Sequence, residues 1–273
     1  MIINHNLNAM NAHRNLLLNN IAQGKSSEKL ASGFKVNRAA DDAAGLSISE
    51  KMRTQIRALN QAQANAQDGI SLVQTAEGAM NEISDMLSRM KELAVKAMNG
   101  TYNTSDLEAI NSEFKALSSA IDSIAKSTTF NGITVLGSTS NKPVNIQIGD
   151  KTIAAAQVNI SLQNVAVEKL SIKGGKLSDA TSASAAMANI DKDIGRINKA
   201  RSAFGALQNQ LEHTFNNLGA TTENLQAAES RIRDTDMAKE MMNYTKLSIL
   251  QNAATSMLAQ ANQAPQSVLQ LLR

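Results

Sequence analysis

The chain has 273 residues, 42% hydrophobic but only 3% aromatic, with no Trp, no Cys and two Pro. That composition favours narrow helical seams over a thick globular core, and without Cys neither a disulfide nor a thiolate metal site is possible. The net charge of +3 is spread over neighbours of opposite sign, such as Glu50-Lys51 and Lys91-Glu92, whereas a nucleic-acid binder presents a basic face.

The sequence contains no run of 18 apolar residues, which argues against membrane insertion. Its N-terminal MIINHNLNAMNAHRN lacks a basic stretch followed by an apolar one, so no cleavable secretory signal is expected.

Residues 4–33 predict a first helix, with Asn4 or Asn6 as its cap and Gly33 as its stop. Its bulky apolar residues, Leu7, Met10, Leu17 and Ile21, form a thin stripe with Arg14 in the gap. Residues 34–46 read as a bent connector. The Asp41-Asp42 pair there is better explained by helix capping and a local Arg contact than by a metal.

From Ser47-Ile48-Ser49-Glu50, a capping box, a long helix is predicted to run to Asn99-Gly100. Its seam is Met52, Ile56, Leu59, Gln63, Ala66, Ile70, Val73, Glu77, Met80, Ile83, Leu87, Met90, Ala94 and Ala97, with a one-residue phase slip at Met80–Ile83. A second capping box at Ser105-Asp106-Leu107-Glu108 opens a return helix with Leu107, Ile110, Phe114, Leu117, Ile121 and Ile124 on one face.

Residues 129–177 change period. Phe130–Leu136 carries a turn signal at Asn131-Gly132, while 144–148 and 158–162 alternate strictly, as do Val165–Val167 and Leu170–Ile172. These are half-buried hairpins, closed by Gly174-Gly175.

Ser178 or Asp179 then caps another long helix, with a seam of Ile190, Ile194, Ile197, Arg201, Phe204, Gln208, Leu211, Phe215, Leu218, Thr222, Leu225, Glu229 and Ile232. Asp234-Thr235-Asp236 offers a joint and a new cap. In the last helix Leu247, Leu250, Ala254, Met257 and Ala261 share a stripe. Two of the five are Ala, so this helix needs a partner, and residues 4–33 are the candidate within the same chain.

The fold expected is mainly α: an elongated bundle of long coiled-coil helices with a small β-hairpin patch, its terminal helices pairing as a coiled coil. Residues 1–43 and 234–273 would form an inner coiled-coil domain, and 44–233 a rod domain. Catalytic chemistry is not legible. The three histidines, His5, His13 and His213, lack metal-site spacing, and no nucleophile elbow or phosphate loop occurs. No catalytic residue, metal or cofactor is expected.

Long motifs supply the rest. MIINHN, LASGFKVNRAADDAAGLSISEKMRTQIRALNQAQANAQDGISLVQTAEGAMNEI, MLSRMKELAVKAMNGTYNTSDL and the terminal NLQAAESRIRDTDMAKEM…MLAQANQAPQSVLQLLR closely resemble bacterial flagellin over about the first 137 and last 90 residues. The middle stretch 138–180 is short where many flagellins insert outer variable domains. The resemblance implies a homopolymer, the flagellar filament, whose terminal helices order on assembly; it also implies an extracellular location reached through the flagellum's own type III export channel. The implied partners are an export chaperone, the filament cap protein, hook–filament junction proteins and host innate immune receptors. On this reading Leu7, Met10, Leu17, Ile21, Leu247, Leu250 and Met257 form the polymerisation stripe, with Val268, Leu269, Leu271 and Leu272 as an apolar end read by an intracellular receptor. Arg89, Leu93 and Glu113 match the contact for a surface receptor. Read from the residues alone, Leu93 is seam packing and the two charges are a solvated face. A hook–filament junction protein, or a secreted adhesin or immune ligand acting as a monomer, are the alternative readings.

Overall fold

A computed structural model describes residues 6–137, 143–150, 156–161, 170–171, 177 and 179–271, with side chains except at 180 and 264–271. Five helices and four short strands follow in order: α1 (Leu7–Ser32), α2 (Ala43–Ala97), α3 (Thr104–Ser127), β1 (Thr129–Phe130), β2 (Ile133–Thr134), β3 (Val144–Gln147), β4 (Gln157–Ile160), α4 (Ala180–Arg233) and α5 (Met237–Leu271). The chain divides into two compact units, one of Met1–Ile56 with Glu223–Arg273, the other Arg57–Thr222. Both divisions fall inside the long helices α2 and α4, whereas the sequence placed boundaries at the connectors after 43 and 233.

In the unit Arg57–Thr222, α2 and α4 run antiparallel. Lys91 pairs with Asp191 at 2.6 Å and Glu77 with Arg201 at 3.7 Å, so residue numbers fall on one helix as they rise on the other. The buried positions of α2 include Leu59, Ala62, Ala66, Val73, Ala76, Met80, Ile83, Leu87, Met90, Ala94 and Ala97, with Ile70, Leu72 and Leu93 buried beside them. With Gly69 filling the gap, the first series steps 3, 4, 3, 4 throughout. The predicted phase slip is therefore absent. The slip follows from counting Gln63 and Glu77, which are half-buried, in place of the buried Ala62 and Ala76, whereas Ile70 is buried in the core beside Gly69 as expected. The same correction applies in α4. Ala183, Ala186, Ile190, Ile197, Ala200, Phe204 and Leu211 are buried, and Asp193 and Ala200 hold the inward positions expected of Ile194 and Arg201. The fully buried Asp193 carboxylate accepts a hydrogen bond from Arg196 Nη1 at 3.2 Å, the kind of partner a buried charge requires.

α3 turns back onto α2, as its face of Ile110, Phe114, Ile121 and Ala125 is buried in the same cluster. Its cap lies two residues before the expected one. Asn103 accepts from the Asp106 backbone N–H at 2.8 Å, and Asp106 accepts from the Asn103 N–H at 3.2 Å, a reciprocal box. Asn103→Ala is expected to cost about 1 kcal/mol of unfolding free energy. Ser105→Ala, which removes the cap expected from sequence, should be near neutral in the same denaturation series.

The β-hairpins complete this unit. Asn131 (φ 47°) and Gly132 (φ 77°) form the tight turn between β1 and β2, where left-handed geometry suits an Asn-Gly pair. β3 and β4 pair antiparallel, Val144 opposite Ile160 and Gln147 opposite Gln157. Their inward residues Ile146, Val158 and Ile160 are buried. The hairpin sits close on α2 because position 69 is Gly. A Cβ there would lie 2.4 Å from Ile146 Cδ1 and 3.2 Å from Leu211 Cδ1. Asn65 Nδ2 also donates to the Gln147 carbonyl at 3.0 Å. The strands expected at Val165–Val167 and the Gly174-Gly175 stop lie outside the described residues, as does Ser178, and Leu170–Ser171 is not strand.

Candidate assembly surface

In the other unit, α1 and α5 lie side by side and antiparallel. Asn6 Nδ2 donates to the Ala261 carbonyl at 2.7 Å, Gln251 Nε2 to Asn20 Oδ1 at 3.0 Å, and Ser26 Oγ to Glu240 Oε1 at 2.5 Å. Asn6 also caps α1, accepting from the Ala9 N–H at 3.1 Å, and Gly33 ends it in the left-handed region at φ 75°. Asn4 lies outside the described residues.

The two connectors hold this register. Lys35 N–H donates to the Arg233 carbonyl at 2.7 Å and Thr235 N–H to the Gly33 carbonyl at 2.9 Å, flanking a bridge between Phe34 and Asp234. The Arg233 guanidinium lies 4.7 Å from the centre of the Phe34 ring and donates to Glu50 Oε1 at 2.7 Å. That hydrogen bond holds the Glu50 carboxyl below the ordinary range. Of the adjacent aspartates, Asp42 acts as a helix cap, as expected, while Asp41 holds backbone N–H groups within the connector. Asp42 accepts from the Gly45 N–H at 2.9 Å, so α2 starts at Ala43 and not at Ser47. Asp41 accepts the Arg38 and Asn37 N–H groups, which lowers its carboxyl pKa, and the Arg38 side chain pairs with Glu28 instead. Among the described residues no group of acidic or His side chains could hold a metal.

The seam between α1 and α5 is not the predicted one. On α1 the half-buried or buried positions include Ala9, Ala12, Leu16, Asn19, Gln23, Ser26 and Leu30; on α5 they include Glu240, Tyr244, Leu247, Gln251, Ala254, Leu258 and Ala261. Both sets step 3 and 4 in strict alternation. The seam mixes Ala, Ser, Asn and Gln with Leu16, Leu30, Tyr244, Leu247 and Leu258, and the spacing of the bulkiest residues does not single it out. Its small members let the backbones approach, with Cα–Cα separations of 8 Å or less recurring along the pair, and its large apolar members are only half-buried, which limits what the seam contributes to stability.

Leu7, Met10, Leu17 and Ile21 sit two residues out of phase with the α1 seam, about 200° around the helix. They are 54–65% exposed. On α5 the predicted stripe divides: Leu247, Ala254 and Ala261 enter the seam, while Leu250 and Met257 are exposed beside it. Met237, Met241, Met242 and Ile249 extend the exposed set. Leu250 and Met257 also line a groove of about 590 Å³ with Asn8, Asn11, Asn15 and Asn19 of α1. The side chains of Val268, Leu269, Leu271 and Leu272 lie outside the described residues. Leu7, Met10, Leu17 and Ile21 thus lie on the face of α1 away from the seam, and Leu250 and Met257 flank it, which leaves large apolar side chains exposed on both helices, an arrangement characteristic of interaction surfaces.

The seam carries a pH-sensitive contact. The Ser26 hydroxyl is the main cause of the lowered Glu240 pKa. Because the folded value lies below the ordinary 4.5, this contribution is present above that pH and is lost as the pH falls through the depressed value. Acid titration followed by hydrogen exchange of 237–251 should show earlier opening in Ser26→Ala at neutral pH, and a smaller difference from the parent chain once the pH has fallen through the depressed Glu240 value.

The residues singled out for receptor recognition separate. Arg89 donates to Glu113 and Glu92, each at 2.9 Å, and these bonds raise its pKa. The Arg89–Glu113 pair is exposed, whereas Leu93 is 2% exposed and belongs to the core of Arg57–Thr222. Seam packing is where the structure puts Leu93.

The "Bacterial flagellin N-terminal helical region" family matches residues 3–141 and the "Bacterial flagellin C-terminal helical region" family matches 187–272. The chain is 50% identical to a flagellin of Halalkalibacterium halodurans over 273 residues, and 46% identical to a flagellin of Bacillus subtilis over 306, in both cases covering all of each chain. Among solved structures, the crystal structure of Bacillus cereus flagellin superposes with a TM-score of 0.51 at 33% identity, covering 61% of this chain and 94% of that one. The chain belongs to the bacterial flagellin family.

Proposed function

We propose that the chain polymerises with copies of itself through the outward faces of α1 and α5. Family membership makes it a structural subunit of the extracellular flagellar filament and not an enzyme. The observation that carries the mechanism is the placement of Leu7, Met10, Leu17, Ile21, Leu250 and Met257 on exposed faces, while the large apolar residues in the seam of the helix pair are only half-buried among Ala, Ser, Asn and Gln. A pair stabilised so weakly by its own seam gains most from neighbours that cover its outer face. Ordering of the terminal helices is thereby coupled to addition of the subunit.

The same exposed face needs cover before assembly and a complementary surface at each end of the polymer. An export chaperone, the filament cap protein and hook–filament junction proteins are the further partners on this reading. Export through the flagellum's own channel accompanies it. For innate receptors, Arg89 and Glu113 offer an accessible charged pair, and Leu93 acts by supporting the helix beneath them.

Purified monomer, seeded or salted out, should form long filaments in negative-stain electron microscopy and gain helical ellipticity as it does. Protein that stays monomeric under both conditions, or filaments that form equally well after deletion of 237–273, would overturn the mechanism.

A further inference from the structure

Methionine is the commonest large residue on the exposed faces. The chain has 12 Met and 5 Phe. Met10 of α1 and Met237, Met241, Met242 and Met257 of α5 are 47–68% exposed, whereas Met80 and Met90 in the other unit are fully buried. Met241 and Met242 line one shallow recess with Thr245, Lys246 and Ile249. Leu would supply the same apolar volume, so polymerisation alone does not call for sulfur here. A thioether adds reversible two-electron oxidation.

We propose that these five methionines are a modification site, at which hydroperoxides convert the free subunit to a form that cannot add to the polymer. This inference rests on the outward faces being the polymer interface. In each step a sulfur lone pair attacks one peroxide oxygen, the O–O bond breaks and an S=O bond forms, and the second oxygen leaves as water with both protons. The sulfur is oxidised by two electrons and hydrogen peroxide is reduced to water. The product is a polar sulfoxide on a surface that must become dry, carrying a strong acceptor with no donor to meet it. Once subunits cover the same faces, peroxide loses access. Oxidation then selects against free subunits and spares assembled ones.

The test treats the full-length monomer with hydrogen peroxide, maps sulfoxides by peptide mass spectrometry, and measures elongation of untreated seeds. Met10, Met237, Met241, Met242 and Met257 should oxidise about tenfold or more faster than Met80 and Met90. Elongation should fall in proportion to their oxidation and return after both sulfoxide reductases with dithiothreitol. A chain carrying M10L, M237L, M241L, M242L and M257L should elongate after peroxide as it does before. Equal oxidation of buried and exposed methionines overturns the inference, as does normal elongation by the oxidised monomer or failure of the reductases to restore it. Should the five-fold variant not assemble, the reductase arm still decides. Untreated monomer that does not elongate seeds at all sinks the polymerisation reading itself, a result distinct from each of these.

Discussion

Replacing Leu17 or Leu250 with Glu should abolish filament growth while leaving the fold of the monomer intact. Both side chains are exposed in the free chain, so neither substitution removes packing from the α1–α5 seam. Leu17 is 54% and Leu250 40% exposed, so burying the remainder of either in the polymer is worth about 1 kcal/mol. Losing that term alone raises the monomer concentration needed for growth roughly fivefold. The Glu also places an unpaired carboxylate in the dry interface, which raises the cost further. Light scattering on seeding should therefore stay flat at concentrations where the parent chain elongates. Far-UV circular dichroism and the melting of Arg57–Thr222 should not change. A substitution within the seam would lack this clean separation, because it alters both the monomer and its addition.

Phe114→Ala should be the most damaging single truncation in the other unit. The ring is 1% exposed and belongs to the cluster that includes Met80, Leu87, Ile121 and Phe204. Removing it creates a cavity in a narrow core with few other aromatics to collapse into the space, a cost of about 3–5 kcal/mol. For a unit of this size the melting temperature should drop by roughly 10 °C. Ile133→Ala, whose side chain is partly exposed, should shift it by far less in the same calorimetric series. Leu93 behaves like Phe114 in this respect. Leu93→Ala should destabilise the unit, so weakened receptor binding by that variant would not identify a contact. Arg89→Ala carries no such ambiguity, because its ion pairs are exposed and contribute little stability.

The sequence was most informative where bulky residues recur. α3 could be read residue by residue from Leu107 to Ile124, and the hairpin turn at Asn131-Gly132 from its dipeptide. Ala66, Ala94 and Ala97 were legible because bulky neighbours set the phase around them, but an inward Ala or Gly with a polar or bulkier residue next to it gives no local sign of burial. Ala62, Gly69 and Ala76 on α2, and Ala9 and Ala12 on α1, are cases of this kind. Capping boxes failed for a related reason. Ser47 and Ser105 fit the motif, yet Asp42 and Asn103 cap the helices earlier, because a helix starts at the first competent cap that its tertiary contacts allow. For the candidate site, the sequence identified Leu7, Met10, Leu17 and Ile21 as one stripe, but periodicity cannot say which of two stripes faces the partner helix. Resolving that needed the Asn20–Gln251 and Ser26–Glu240 contacts, more than 200 residues apart in the chain.

The central claim is that polymerisation covers the outward faces of α1 and α5. Hydrogen exchange measured by mass spectrometry on free monomer and on assembled filament tests it directly. Amides in 7–32 and 237–263 should exchange about tenfold or more slowly in the filament, because opening of the weakly held helix pair is suppressed once neighbours pack on it. Unchanged exchange in both segments, in filaments verified by microscopy, would contradict the account.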